Sequence, residues 1–197
     1  MRRVLPAFVS GAAASLALSG DPLRAQEIRF SAEREGEFVV VSAIVDLPVE
    51  RGIAWEVLSD YDHYAEFIPD MRVSRVIWRD EDGMVVEQKG EVRFLIFRQA
   101  IDATTAVVEM PQRRIVSRLI SGNLKEMSGT YELYDAPLGV QLVHAGRLVP
   151  EFVLPPVIGM IAVRQALERQ FTAMVREIIR RGERSRTPGG DGPRPAQ

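Results

Sequence analysis

Two groups of residues have the types and spacing to do chemistry. The first is WEVLSDYDHYAEFIPDM (Trp55–Met71), where carboxylates, His63 and the rings of Trp55, Tyr61, Tyr64 and Phe67 crowd together. A carboxylate beside a histidine is the raw material of general acid-base catalysis. The second is His144 in VQLVHAGRLV, with Tyr131 and Lys125 on the segment before it. An ionisable group enclosed by apolar neighbours has a shifted pKa and can move a proton on a bound molecule. Other chemistries lack their residues. There is no cysteine for thiol catalysis and there are only two histidines, so zinc is not expected. No nucleophile-base pair, phosphate loop or HExxH pattern occurs, and neither a cofactor nor a metal is expected.

What these residues can do depends on the elements that hold them. The 197 residues, 46% apolar and 26% charged, suit one globular domain with tails. MRRVLPAFVSGAAASLALSGDPLRAQE has a basic start at Arg2 and Arg3, a mildly apolar Val4–Leu18 and small residues before Gln26. That pattern predicts a signal peptide over residues 1–25. Its apolar run, interrupted by Pro6, is shorter than the roughly 20 residues of a spanning helix. With no cysteine to carry a lipid, the mature chain is expected to be periplasmic or secreted. The leader carries Arg2, Arg3 and Arg24 against Asp21, so its removal takes the net charge from −2 to −4. That balance argues against nucleic acid as a partner. GERSRTPGGDGPRPAQ is Gly, Pro and charge, which predicts a disordered tail over 183–197 and a folded unit over 30–182.

Within that unit EFVVVSAIVDLP reads as a strand ended by proline. Two short helices follow, VERGIAWEVLSD and YDHYAEFI, the second stopping at Pro69 and capped by Ser59 or Asp60. Six strand-like runs then succeed one another across short turns, which implies an antiparallel meander. Finally PPVIGMIAVRQALERQFTAMVREIIRR repeats apolar residues every three or four, with Val157, Met160, Arg164, Leu167, Phe171, Met174 and Ile178 in one stripe. The fold class is α+β: a curved seven-stranded antiparallel sheet wrapped around a long C-terminal helix, with two short helices after the first strand. This helix-grip arrangement leaves an apolar cavity where one helix fails to cover the whole concave face.

Alternation turns Met127, Gly129, Tyr131 and Leu133 inward on one strand, Val140, Leu142, His144, Gly146 and Leu148 on the next, and Ile115, Ser117 and Leu119 on a third. Gly129 and Gly146 would leave room where side chains otherwise fill the core. In this layout His63 and the carboxylates around it fall on turns or the solvent side. The residues expected against a bound molecule are Tyr64, Phe67 and Ile68 from the short helices, and Phe94 and Phe97 from the FLIF loop. Leu119, Met127, Tyr131, Leu142 and His144 join them from the strands, and Phe152, Ile158, Ile161 and Phe171 from the last loop and helix. The greasy loops FLIF and EFVLPPVIG suit a gate or a rim in transient contact with a membrane.

Pro48-Val49-Glu50 followed by WEVLSDYDHYAEFIPDMRVSRV resembles the opening of the START-like (SRPBCC) superfamily, in its branch of polyketide cyclases and coenzyme Q-binding proteins. RRIVSRLISGNLKEMSGTYEL is similar to that superfamily's r-I-x(n)-G-x-(F/L)-K-x-(L/M)-x-G-x-(W/Y) segment, with Tyr131 where many members have tryptophan. The last helix resembles its closing helix. The resemblance implies a helix-grip fold and a hydrophobic ligand, in a superfamily that holds binders, carriers and enzymes.

Two functions are therefore expected. One is an exported carrier of a lipid, quinone or polyketide-like molecule, held by burial without polar chemistry. The other is a cyclase or dehydratase using a cavity acid or base, for which His144 is the weak candidate and no further catalytic residue is named. A third class, a module binding another protein, is neither supported nor excluded by the sequence, and oligomeric state has no signature in it.

Overall fold

The structure is a computed structural model that describes residues 27–95, 97–153 and 158–186. The expected leader over residues 1–25 falls wholly outside these residues, as do the side chains of Phe94 and Phe97 and the part of the tail beyond Arg186.

The concave sheet is built first by strand β2 (Phe38–Leu47), whose Val39, Val41, Ala43, Val45 and Leu47 alternate into the core. Before it runs β1 (Arg29–Glu35), joined through a tight turn in which Gly36 takes φ +62°. After β2 come α1 (Arg51–Leu58), a 3-10 turn (Tyr61–His63) and α2 (Tyr64–Phe67). The meander is β3 (Met71–Arg79), β4 (Met84–Phe94), β5 (Phe97–Met110), β6 (Arg114–Gly122), β7 (Leu124–Ala136) and β8 (Gly139–Pro150). Its last strand returns to β2: β8 pairs with β2, giving the open order β1-β2-β8-β7-β6-β5-β4-β3 with every neighbour antiparallel. The arrangement is a helix-grip fold with eight strands rather than seven.

The extra strand is β1, so the short helices follow the second strand instead of the first. RFSAERE is mostly charged because an edge strand pairs on one side only and buries little; Phe30 packs against the core and Ala32 is buried. Between β7 and β8, Gly139 adopts φ +152°, and a Cβ there would lie 2.3 Å from the Leu47 carbonyl oxygen. Only glycine lets the hairpin approach the end of β2 so closely.

Helix α3 (Ile158–Arg186) spans about 43 Å at ~1.5 Å per residue. It continues four residues past the expected boundary at 182. Its buried face runs through Ala162, Val163, Ala166, Phe171, Met174, Val175, Ile178 and Gly182. Arg164, placed in the apolar stripe by spacing, is exposed, and Val163 is buried instead, because a 3.6-residue period drifts off a strict seven-residue repeat. Toward its C-terminal end α3 is tightly fixed. A Cβ on Gly182 would meet Val49 Cγ1 at 2.6 Å, and Arg181 donates to Glu177, Glu56 and Asp60 at 2.8, 3.1 and 2.6 Å. Asp60 therefore serves this ion network and the His63 ring (2.5 Å) rather than a helix cap, while the Ser59 hydroxyl donates back to the Trp55 carbonyl.

Ile178 is fully buried where α3 is fixed, whereas Ile161 is 41% exposed near the helix start. Ile178→Ala should cost ~2–5 kcal/mol in urea unfolding and Ile161→Ala under ~0.5 kcal/mol. Equal costs would contradict this placement of the helix.

Candidate functional site

Two chambers, each of about 150 Å3, lie between the sheet and α3. The inner one is walled by Tyr61, Tyr64 and Ile68 from the short helices, by Val86, Val107, Ile115 and Tyr131 from the strands, and by Met174 from α3. The outer one lies farther toward the start of α3. Ala103 on β5 and Ala166 on α3 face it with side chains too small to close it, and Val92, Leu124, Phe152 and Leu167 complete much of its wall. Met71, Gln88, Met127 and Gln170 border both chambers, so the two adjoin at a neck formed by these four side chains. The strand residues come from the inward alternation of β4, β5 and β7; the helix residues come from the Ala166-Gln170-Met174 row at a spacing of four.

Most polar atoms in this wall are already satisfied. The Tyr61 hydroxyl donates to Glu109 Oε1 at 2.8 Å and the Tyr64 hydroxyl to the Leu58 carbonyl at 2.5 Å. Ser117 Oγ donates to the Gly129 carbonyl at 3.3 Å, and Gln88 Nε2 reaches Ser74 Oγ at 3.4 Å. Tyr131 makes no hydrogen bond with any described residue. Burial alone pushes its phenol up to about 12, so it stays a protonated donor near neutral pH.

His144 sits behind this wall. Its ring stacks on Tyr131 (centroids 4.3 Å apart) and, on its other side, lies 6.2 Å from Phe171. Nδ1–H donates to the Thr130 carbonyl at 2.9 Å, which assigns the neutral tautomer with a free Nε2. The space expected beside Gly129 and Gly146 is taken by this imidazole: Cβ atoms there would lie 3.7 and 3.6 Å from its Cε1. Burial lowers the His144 pKa, and the Thr130 hydrogen bond opposes this without reversing it.

Of the residues expected against a ligand, Tyr64, Ile68, Met127 and Tyr131 line the inner chamber, and Met127 and Phe152 the outer. His144, Leu119, Leu142 and Phe171 line neither: Leu142 is solid core and Phe171 packs on Phe30 at 6.5 Å. Phe67 borders a groove on the outer side of α3, with Arg169 and Arg176. Ile158 and Ile161 are exposed at the helix start. The residues that alternation and helical spacing could have found are Gln88, which follows Met84 and Val86 at intervals of two, and Gln170, midway between Ala166 and Met174. Being polar, they fall outside an apolar pattern. Among the described residues no group of His, Asp or Glu side chains could hold a metal. None lining the inner chamber is Asp, Glu, Lys, Arg or His.

A family model described as polyketide cyclase / dehydrase and lipid transport matches residues 45–178. No curated protein matches the chain in sequence. Among solved structures, the Zhui aromatase/cyclase from Streptomyces sp. R1128 superposes with a TM-score of 0.60 at 19% identity, covering 83% of this chain and 99% of that one. A START superfamily protein from Mycobacterium smegmatis gives 0.55 at 16% identity, covering 74% and 98%. A STAR-related lipid transfer protein from Xanthomonas axonopodis gives 0.55 at 11% identity, covering 76% and 98%. At these identities the likeness is one of fold.

The depressed His144 pKa sets a pH dependence. Below its ordinary value of 6.5 the unfolded chain takes up a proton that the folded chain resists. The stability that neutral His144 contributes is therefore complete above pH 6.5 and is lost as pH falls toward the lower folded value. The stability difference between the wild type and His144→Gln should shrink from about pH 7.5 to about pH 5, measured by urea unfolding. Comparing the two chains cancels the opposite effect of His63, whose pKa is raised by Asp60. A difference that does not change with pH would contradict the neutral, enclosed imidazole.

Proposed function

Since the chain belongs to the polyketide cyclase / dehydrase and lipid transport family, we propose that it is an exported carrier that holds a hydrophobic small molecule, of lipid, quinone or polyketide type, in the space under α3. The observation that carries this reading is the pair of adjoining, largely apolar chambers. A guest that hides 300 Å2 of apolar surface there would gain roughly 7 kcal/mol at ~25 cal/mol per Å2, before the cost of ordering it. A cyclase or dehydratase would need an acid or base at the chamber wall. The described wall of the inner chamber offers only phenols whose pKa values burial raises, Lys89 and Glu91 at the outer chamber are held in ion pairs, and His144 is set behind Tyr131. Those placements favour binding over turnover.

Export is supported by the basic-apolar-small pattern of residues 1–25. Contact with a membrane during loading or release is supported by apolar side chains near the outer chamber. Leu95 is 82% exposed at the tip of the β4–β5 turn, and Val153, next to Phe152, is 89% exposed. No helix among the described residues is long and apolar enough to cross a bilayer.

Ala166→Phe should fill the outer chamber and weaken uptake of the fluorescent probe N-phenyl-1-naphthylamine at least tenfold, with an unchanged far-ultraviolet spectrum. Ala103→Leu, on the opposite wall, should act in the same direction. Tight probe binding by both variants would place the ligand elsewhere. For export, the chain recovered from the periplasm or medium should begin at Gln26 by N-terminal sequencing; a chain retained inside the cell with Met1 intact would contradict it.

A further inference from the structure

The chambers are unevenly polar, and the unevenness has a direction. Three phenols border the inner chamber, and two are committed: Tyr61 donates to Glu109 and Tyr64 to the Leu58 carbonyl. Tyr131 is uncommitted among the described residues. It is enclosed by protein yet keeps accessible surface, as a side chain does when its free face borders an internal space. At the neck, Gln170 makes no hydrogen bond with a described residue, and Gln88 makes a single long one, of 3.4 Å, to Ser74. An enclosed hydroxyl without a partner is unfavourable, a half-buried carboxamide less so, and both gain when a guest supplies the partner. Unused hydrogen-bonding capacity is thus concentrated at the inner end and the neck.

The outer chamber contrasts with this. Val92, Ile101, Leu124, Leu148, Val163 and Leu167 give it an aliphatic wall. Its charged residues are already paired, Lys89 with Glu87 and Asp102, and Glu91 with Arg72 and Arg93. The inner chamber has no charged residue in its described wall, so an ionised head group there would be buried without a counter-ion.

Resting on the carrier reading, the geometry points to a neutral amphiphile as the guest. It is held polar end first, with a hydroxyl, phenol or carbonyl oxygen taking the Tyr131 O–H and the Gln88 and Gln170 carboxamides, and an apolar remainder in the outer chamber. The Tyr131 hydroxyl donates to either kind of oxygen and can also accept from a hydroxyl. A site built around such bonds rejects an isostere that lacks the oxygen, because its own polar groups are then left unpaired. The guest is therefore an oxygenated, uncharged molecule rather than a pure hydrocarbon or a fatty-acid anion.

Three small probes of one shape test this by displacement of N-phenyl-1-naphthylamine from the full mature chain: 2-naphthol, 2-methylnaphthalene and 2-naphthoate. We expect 2-naphthol to bind at least tenfold more tightly than its methyl isostere, and 2-naphthoate to be the weakest. In Tyr131→Phe the advantage of 2-naphthol over 2-methylnaphthalene should collapse to less than threefold. Gln170→Leu should reduce it independently. Equal binding of naphthol and methylnaphthalene by the wild type, or naphthoate as the tightest ligand, would overturn the inference while leaving a hydrophobic carrier. A naphthol preference that survives both variants would overturn the assignment to these residues. Failure of the wild type to bind N-phenyl-1-naphthylamine or any of the three would overturn the carrier reading and the inference with it.

Discussion

One straight helix has to roof a bent sheet of eight strands, and the cavity follows from how unevenly it does so. Toward its C-terminal end α3 is clamped: Gly182 presses on Val49, and Arg181 ties it to Glu56 and Asp60 around α1 and the 3-10 turn. Ile178 and Val175 are buried in that half. Toward its N-terminal end the helix packs through Val163 on Ala32, Val39 and Val41 of β1 and β2, but over β4 and β5 it presents Ala166, whose side chain is too short to reach across. A rod fixed at one end and padded with small residues at the other leaves space where the sheet curves away. Close packing, the rule in protein interiors, is thus suspended along one part of one interface.

The polar groups around this space are placed so that the fold stands without a guest. Tyr61, Tyr64 and Ser117 each have a partner in the protein, and His144 spends Nδ1–H on a backbone carbonyl while its ring backs Tyr131 against Phe171. The neck is braced from outside by Asp70, which accepts from Arg93 on β4 and from Arg169 on α3. Burial works against a charged Asp70, but these two guanidinium groups hold its carboxyl below the usual range. The clasp joins sheet and helix beside Met71, a residue of the neck. Among the described side chains of the chamber walls, Tyr131 and Gln170 have no partner and Gln88 has one long hydrogen bond, which leaves them placed to meet a guest.

Much of this architecture was legible in the residues, for definite reasons. The two-residue period of β7 and β8 told Tyr131 and Leu133 from Glu132, and the change of period after Pro150 marked α3. The strand β1 was not legible, because RFSAERE reads as a charged stretch and an edge strand needs only Phe30 and Ala32 to turn inward. Alternation also says which face a residue takes, but not whether the helix has packed on it there. Leu142 and Phe171 face inward and are solid core, while Met127 faces inward and borders the void. A bulge between Leu124 and Glu126 brings Leu124 and Met127 to the same chamber, three apart, which no strict period of two anticipates. Gln88 and Gln170 escaped because apolar patterning discards polar residues, although their spacing placed them on the right faces.

The central claim is the void itself, and xenon reports on it without presupposing any ligand, since dry apolar cavities take it up. Crystals of the mature chain under xenon pressure should show the gas between Ala103 and Ala166 and beside Met174, on both sides of the Gln88–Gln170 neck. A xenon-free interior, with side chains closing the gap between α3 and strands β4 to β7, would contradict the account.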